Sequence, residues 1–257
     1  MPKYSDFAAA IFDVDDTLIS NFPPDYPMGL HEESRLQAVH QVGRTHGIPA
    51  LAHFGAQDNH DAFKNASVHS MEGATWAILQ KAGLAGSDSI NYADPFLLEI
   101  VKIKDKLHKD VLLAHGREVP GAAAFVRALA AHGFQGKMAV ASTGSRRDIL
   151  LSLEIIGVAG LFPDKQIVTK ESFFEHPKPH PMAFDLAFKS LGLPTDTPRT
   201  KVIAFEDDPR GIMSAKAAGL YVCGITTRYT KAELAGQPVA PDLICDSYEE
   251  IAVALGL

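Results

Sequence analysis

Ala8-Ala9-Ala10-Ile11-Phe12-Asp13-Val14-Asp15-Asp16-Thr17 runs from five apolar residues straight into a group of acids. A short continuous apolar run bounded by polar residues suits a strand buried on both faces, as in a parallel sheet covered by helices. The design recurs. Lys137-Met138-Ala139-Val140-Ala141 ends in Ser142-Thr143-Gly144, and Val202-Ile203-Ala204-Phe205 ends in Glu206-Asp207-Asp208. Leu220-Tyr221-Val222-Cys223-Gly224 and Asp242-Leu243-Ile244-Cys245 complete the set.

Helical spacing of apolar residues fills the gaps between these runs. It predicts helices over 120–132, 146–156, 180–191 and 209–218, each followed by a glycine suited to ending a helix (Gly133, Gly157, Gly192, Gly219). Strands alternating with helices of this length imply crossover units and an α/β fold with a doubly wound, mostly parallel sheet. The stretch 20–116 reads otherwise. It opens with the turn Phe22-Pro23-Pro24-Asp25-Tyr26-Pro27 and carries helical patterns near 32–46, 75–82 and 95–115, with no strand-like apolar run. We therefore expect an α/β core over 1–19 and 117–257, and an all-helical domain inserted over 20–116 just after the first strand.

The chain has 257 residues, 46% of them hydrophobic and 21% charged, enough apolar material for a sizeable core plus an insertion. Its formal charge of −7 makes nucleic acid an unsuitable partner, since nothing draws the whole molecule to a polyphosphate backbone. Two cysteines, Cys223 and Cys245, both in apolar stretches, provide neither a disulfide framework nor a multi-thiolate metal site. The run 7–12 is too short for a signal-peptide core, and no apolar stretch approaches the ~20 residues of a membrane helix. A cytoplasmic location, with no membrane partner, is the expectation. Oligomeric state is not legible.

In a parallel sheet the C-terminal strand ends share one edge, where ligands bind. Three of the runs end there with reactive side chains: Asp13, Asp15 and Asp16 from the first, Ser142 and Thr143 from the second, Glu206, Asp207 and Asp208 from the third. Asp13 and Asp15 project to the same side if the extended backbone continues that far. Each group has a purely architectural reading. Asp208 ahead of Pro209 can cap a helix, Ser142, Thr143 or Ser145 can do the same before Arg146, and Asp16 and Thr17 can close a turn. Two acidic triplets at two buried strand ends exceed that reading. Carboxylates so gathered repel one another unless some stay protonated or a cation sits among them. Hard oxygen donors without a thiolate or a strong histidine pair select Mg²⁺.

Taken together, the motifs resemble those of the haloacid dehalogenase-like superfamily. Phe12-Asp13-Val14-Asp15-Asp16-Thr17-Leu18 is similar to its first signature and Val140-Ala141-Ser142 to its second. Lys178-Pro179-His180-Pro181 is similar to the third, and Glu206-Asp207-Asp208-Pro209-Arg210-Gly211, followed by Ala217-Ala218-Gly219, to the fourth. The resemblance spans about residues 7–224 in the expected order. Asp16 stands where most relatives carry glycine. The resemblance implies a phosphohydrolase with a helical cap, in which Asp13 forms an aspartyl phosphate and Asp15 serves as acid and then base. It further implies that Mg²⁺ is held by Asp13, the Asp15 carbonyl and Asp207, with Glu206 beside them. Ser142, with Thr143, Gly144 and the following amides, would hold phosphate oxygens, and Lys178 would add a fixed positive charge.

The substrate expected is a small phosphorylated metabolite, its identity set by a cap that matches no recognisable specificity pattern. His31, His40, His46, His53, His60 and His69 read as surface or satisfied core groups, and Trp76 as cap packing. His176 and His180 flank Lys178, while Arg35, Arg44 and Lys64 are cations that could meet an anion. A phosphotransferase resembling β-phosphoglucomutase is the alternative within the same chemistry. A catalytically silent metal-binding regulator is a third reading, set against by the complete group Asp13, Asp15, Ser142, Lys178 and Asp207. A phospho-accepting receiver module would be shorter and would lack the insertion.

Overall fold

All four positions of β1 (Ala9–Phe12) are buried because the strand lies inside a six-stranded sheet. The computed structural model describes every residue except 1, 25, 27, 67, 69, 87 and 88. After β1 come the two-residue strands β2 (Ile19–Ser20) and β3 (Arg117–Glu118), then β4 (Met138–Ala141), β5 (Ile167–Val168), β6 (Val202–Glu206), β7 (Tyr221–Ile225) and β8 (Leu243–Cys245). The large sheet has the order β5-β4-β1-β6-β7-β8, and every pairing in it is parallel. From β1 the chain works outward to β4 and β5, then crosses back to β6 on the other side. The reversal places a topological switch point at β1, the position where α/β sheets hold ligands.

The chain divides into two compact units, one made of Met1–Ser20 with Arg117–Leu257, the other of Asn21–Gly116. The second unit is helical, with α1 (Leu30–His46), α2 (Pro49–Ala52), α3 (Ala56–Lys64), α4 (Met71–Lys81) and α5 (Pro95–His115). Asp94 caps α5 by accepting from the amides of Phe96 and Leu97, and Pro95 takes the first turn, where its missing N–H costs nothing. Val39, Val42, Leu51, Trp76, Ile78, Leu79, Leu97 and Ile100 form the unit's apolar centre. Its polar groups are largely spoken for. Arg35 is buried and donates from Nε and Nη2 to Asn59, which accepts through its side chain and its carbonyl. Burial pulls that guanidinium down to about 10, against the opposite pull of Glu32. His40 bonds the Phe54 carbonyl, His46 pairs with Glu99, His60 pairs with Glu32, and His31 stacks on His108. His69, like Asp25 and Pro27 of the proline-rich turn, lies outside the described residues.

In the sheet-containing unit, α6 (Ala122–Leu129), α7 (Arg146–Ile155), α8 (Met182–Ser190), α9 (Pro209–Ala217), α10 (Lys231–Ala235) and α11 (Tyr248–Leu255) complete the fold. Successive residues of a strand face opposite sides, and the core follows that rule. Ala9 and Ile11 join Phe184, Ile212 and Ala215 of α8 and α9. Phe12 instead stacks on Phe205 at 4.8 Å, with Phe125 of α6 edge-on to Phe205 and tilted against Tyr248 of α11. Each fully buried Ile or Phe contributes about 1.5–3 kcal/mol, so β1 is held from both sides. Among the described residues no helix is long and apolar enough to cross a membrane. Cys223 and Cys245 are buried free thiols.

The inferred runs coincide with β1, β4, β6, β7 and β8 to within a residue or so. The strands β2, β3 and β5 are too short to leave a hydrophobic pattern and have no counterpart among those runs. The helix over 180–191 starts two residues later, at Met182, whose amide donates to His180 Nδ1 at 3.2 Å.

At Gly43 the backbone of α1 runs against the α2 segment so closely that a Cβ would lie 2.1 Å from the Ala52 nitrogen. That neighbour is main chain and cannot rotate away. Gly43→Ala should therefore destabilise the helical unit by about 1–3 kcal/mol, the usual cost of overpacking. Denaturant titration followed by the fluorescence of Trp76, the single tryptophan, measures it.

Candidate active site

The sheet brings β1 and β6 side by side with Phe12 opposite Phe205, so Asp13 and Glu206 follow as neighbours at the strand ends. Asp13 continues the ladder by donating its amide to the Phe205 carbonyl at 3.0 Å. Lys178 arrives from the β5–α8 loop through a cis Lys178–Pro179 bond. Its ammonium donates to Asp13 Oδ1 and to Glu206 Oε1, both at 2.6 Å, and lies 4.9 Å from the Phe184 ring centroid. All three charged side chains are at least nine-tenths buried.

Glu206 accepts from three donors. Besides Lys178 it accepts at Oε2 from the amides of Asp207 and Asp208. The room for it comes from Gly211, where a Cβ would stand 1.8 Å from Glu206 Oε1. Asp208 has the capping role open to it in the sequence: its Oδ1 accepts from the Arg210 amide at the start of α9, and it pairs with the Arg210 guanidinium. Asp207 is buried beside Asp13 and accepts from Thr17 Oγ1 at 3.2 Å.

Burial, the largest influence, raises the carboxyl of Asp13 well above the usual range; Lys178 opposes it, while Glu206 and Asp15 add repulsion. Asp207 is raised well above as well, by burial and then by Glu206, Asp16, Asp13 and Asp208. Burial pulls the Lys178 ammonium down, but the two carboxylates outweigh it and hold it above the ordinary lysine value. One ammonium thus bonds two of three buried acids. Ligand oxygens of Asp13, Glu206 and Asp207 lie within 4.8 Å of one another, and this set, hard and anionic, fits a divalent cation.

Ser142 and Gly144 stand at the end of β4, apart from this hydrogen-bonded network. Ser142 is fully buried and accepts at Oγ from the Gly144 amide at 3.0 Å, whereas Thr143 is exposed. Asp15 is partly buried one residue before Asp16. Ser145, not Ser142, caps α7. His176 and His180 stack on each other at 4.6 Å. Three contacts have no counterpart in the sequence reading. The Tyr248 hydroxyl donates to the Thr17 carbonyl, the Thr227 hydroxyl donates to the Asp16 carbonyl, and Arg228 pairs with the Asp16 carboxylate. Of these residues, Asp16 and Thr17 carry a signal, as members of the first signature.

A family profile described as haloacid dehalogenase-like hydrolase matches residues 7–219, which contain the whole Asp13–Lys178–Glu206–Asp207 group. The chain belongs to that family. Among curated relatives, glycerol-1-phosphate phosphohydrolase 2 of Saccharomyces cerevisiae is 32% identical over 155 residues, 58% of this chain and 59% of the relative. The match therefore spans well under two thirds of that protein. Similar solved structures include a family IA, variant 3 hydrolase of this group from Entamoeba histolytica (TM-score 0.71, 22% identity, 96% of each chain). CbbY from Rhodobacter sphaeroides, solved in complex with phosphate, follows with TM-score 0.69, 20% identity, 98% of this chain and 100% of that one. At these identities the structures establish the shared fold.

A cation can bind only the deprotonated acids, and the raised carboxyls of Asp13 and Asp207 hold their protons further up the pH scale. Binding thus releases protons and strengthens as pH rises. If these acids hold a divalent cation, adding one such as Mg²⁺ to chelator-treated protein should raise the melting temperature at about pH 7.5 and lose most of that effect near pH 5. An equal shift at both values would exclude these acids as ligands.

Proposed function

We propose that the chain is a Mg²⁺-dependent phosphatase that hydrolyses a small phosphorylated metabolite through an aspartyl phosphate on Asp13. The observation that carries this reading is the Lys178 ammonium shared by Asp13 and Glu206. It holds one Asp13 oxygen by hydrogen bond and leaves the carboxylate's second oxygen as the nucleophile. Attack on phosphorus forms the Asp13–phosphate bond as the ester oxygen departs. Asp15 gives that oxygen a proton, then removes one from the water that cleaves the acyl phosphate and regenerates Asp13. Lys178 stays protonated throughout and stabilises charge on the phosphoryl oxygens from a fixed position. Ser142, with Thr143, Gly144 and the amides that follow, accommodates the remaining oxygens. Asp13, the Asp15 carbonyl and Asp207 would hold Mg²⁺, with Glu206 fixing Lys178 beside them; bound there, the ion supplies positive charge against phosphate and carboxylate repulsion.

The yeast relative is named for glycerol-1-phosphate. We infer that an aliphatic polyol monophosphate is the substrate class to test first, the helical unit Asn21–Gly116 serving as the cap that selects it.

A panel of phosphorylated metabolites assayed for phosphate release, with Mg²⁺ and with chelator, tests the reading. Release is expected from at least one polyol or sugar phosphate, and only with the metal. Asp13→Asn should lower turnover by at least about a thousandfold. Lys178→Ala should lower it by about a hundredfold, as loss of one fixed donor to developing charge does. Turnover near wild type in Asp13→Asn would overturn the mechanism. An isomerised sugar phosphate without net phosphate release would make the enzyme a phosphotransferase instead.

A further inference from the structure

The turn that carries Asp15 is tightly built. Asp16, Leu18 and Ile19 all bond back across it, Asp16 N to Ile19 O at 2.7 Å and the amides of Leu18 and Ile19 to Val14 O at 2.8 and 3.0 Å. Its geometry puts Asp16 in the left-handed region, φ 56°, and Asp16 is the only non-glycine residue so placed among the described residues. That conformation suits glycine, and a side chain there adds local strain unless its surroundings hold it. The surroundings come from the loop after β7. Thr227 Oγ1 donates to the Asp16 carbonyl at 2.6 Å, and Arg228 Nε lies 3.7 Å from Asp16 Oδ2. The Asp16 side chain is 6% exposed while Arg228 is 32% exposed, so the guanidinium reaches down from the surface onto a buried carboxylate. Both residues lie beyond the segment 7–219 that the family profile covers.

We propose that Thr227 and Arg228 are positioning residues for Asp15: they clasp Asp16, the next residue in the chain, by its carbonyl and its carboxylate, and so fix where the Asp15 carboxyl points. Their contacts to Asp16 are the carbonyl bond and the ion pair, and Arg228 also lies in the field of Asp207 and Asp208. The carbonyl bond fixes the peptide plane after Asp16, and the ion pair fixes the side chain that a left-handed residue turns away from the ordinary direction. Asp15 lies one residue upstream and inherits both constraints. A misplaced proton donor loses its advantage steeply, since the proton must pass within hydrogen-bond reach. This inference rests on the phosphatase reading and on Asp15 as the proton donor.

The test compares two phosphomonoesters that differ in their need for a proton. An alkyl phosphate must expel a strongly basic alkoxide and depends on the general acid; p-nitrophenyl phosphate expels a stable phenolate and depends on it little. Asp15→Asn sets the reference, with a much larger loss of kcat/KM on the alkyl ester; its loss as base in the second step, common to both esters, appears in kcat. Arg228→Ala and Thr227→Val are expected to show the same selectivity in weaker form. Their kcat/KM, which reports only the first phosphoryl transfer, should fall about 10- to 100-fold on the alkyl ester and less than about threefold on the nitrophenyl ester. Thr227→Ser, which keeps the hydroxyl, should restore wild-type behaviour. Asp16→Gly removes the carboxylate and suits φ 56°, so adding Arg228→Ala to it should cost much less than the same change in the native chain.

Equal losses on the two esters in Arg228→Ala and Thr227→Val, while Asp15→Asn remains selective, would overturn the inference alone. So would Arg228→Ala costing as much in the Asp16→Gly background as in the native chain. Equal losses of kcat/KM in Asp15→Asn would overturn the role of Asp15 as acid and this inference with it. A wild-type protein that releases phosphate from neither ester or any panel member would instead remove the reading on which both stand.

Discussion

Everything at the candidate active site depends on one ammonium held between two acids. Lys178 lies 2.6 Å from both Asp13 and Glu206, and none of the three is open to water to any useful extent. Breaking a buried ion pair by removing one member is costly because the remaining charge has no compensation. The triad is thus mutually dependent: without Lys178, Glu206 and Asp13 would lose the charge that compensates them. Two main-chain amides and the gap left by Gly211 fix Glu206 in turn. The sheet supplies the rest, since the pairing of β1 with β6 sets the two acids side by side before any side chain chooses a rotamer. A carboxylate with a partner already in place needs little reorganisation when charge develops beside it.

The core of this arrangement is legible in the sequence for a physical reason. Strands buried on both faces must be apolar throughout, so Ala9–Phe12, Met138–Ala141 and Val202–Glu206 stand out, and the polarity that ends each run marks the ligand edge. What escapes is either short or remote. β5 has two residues, and α2 and α10 four or five, too few for a period to show. The Thr227 hydroxyl reaches a carbonyl 211 residues away, and the Tyr248 hydroxyl one 231 residues away. Nothing in a threonine, an arginine or a tyrosine near the end of a chain announces which backbone oxygen it will meet. Asp208 illustrates the opposite case, in which the plain capping geometry written in Asp208-Pro209 is what the structure contains.

The helical unit is a similar mixture. The long helices α1 and α5 show in their apolar spacing, while α3 does not, its nine residues being mostly polar. The buried Arg35 shows why a cation in sequence is a weak pointer to an anionic ligand. Its guanidinium is engaged by Asn59, a partner 24 residues away that closes α1 onto α3.

The small antiparallel pairing of β2 with β3 has a consequence of its own. Ile19 faces Glu118 and Ser20 faces Arg117, so the chain departs from the sheet-containing unit and returns to it at adjoining points. An excursion anchored this way exerts no tension on the strands it interrupts, and lengthening it adds only a slowly growing closure entropy. The site for exchange of whole modules is therefore built into the scaffold. Everything between those two strands can be exchanged while the acids at the strand ends and the ammonium on the loop after β5 stay in register.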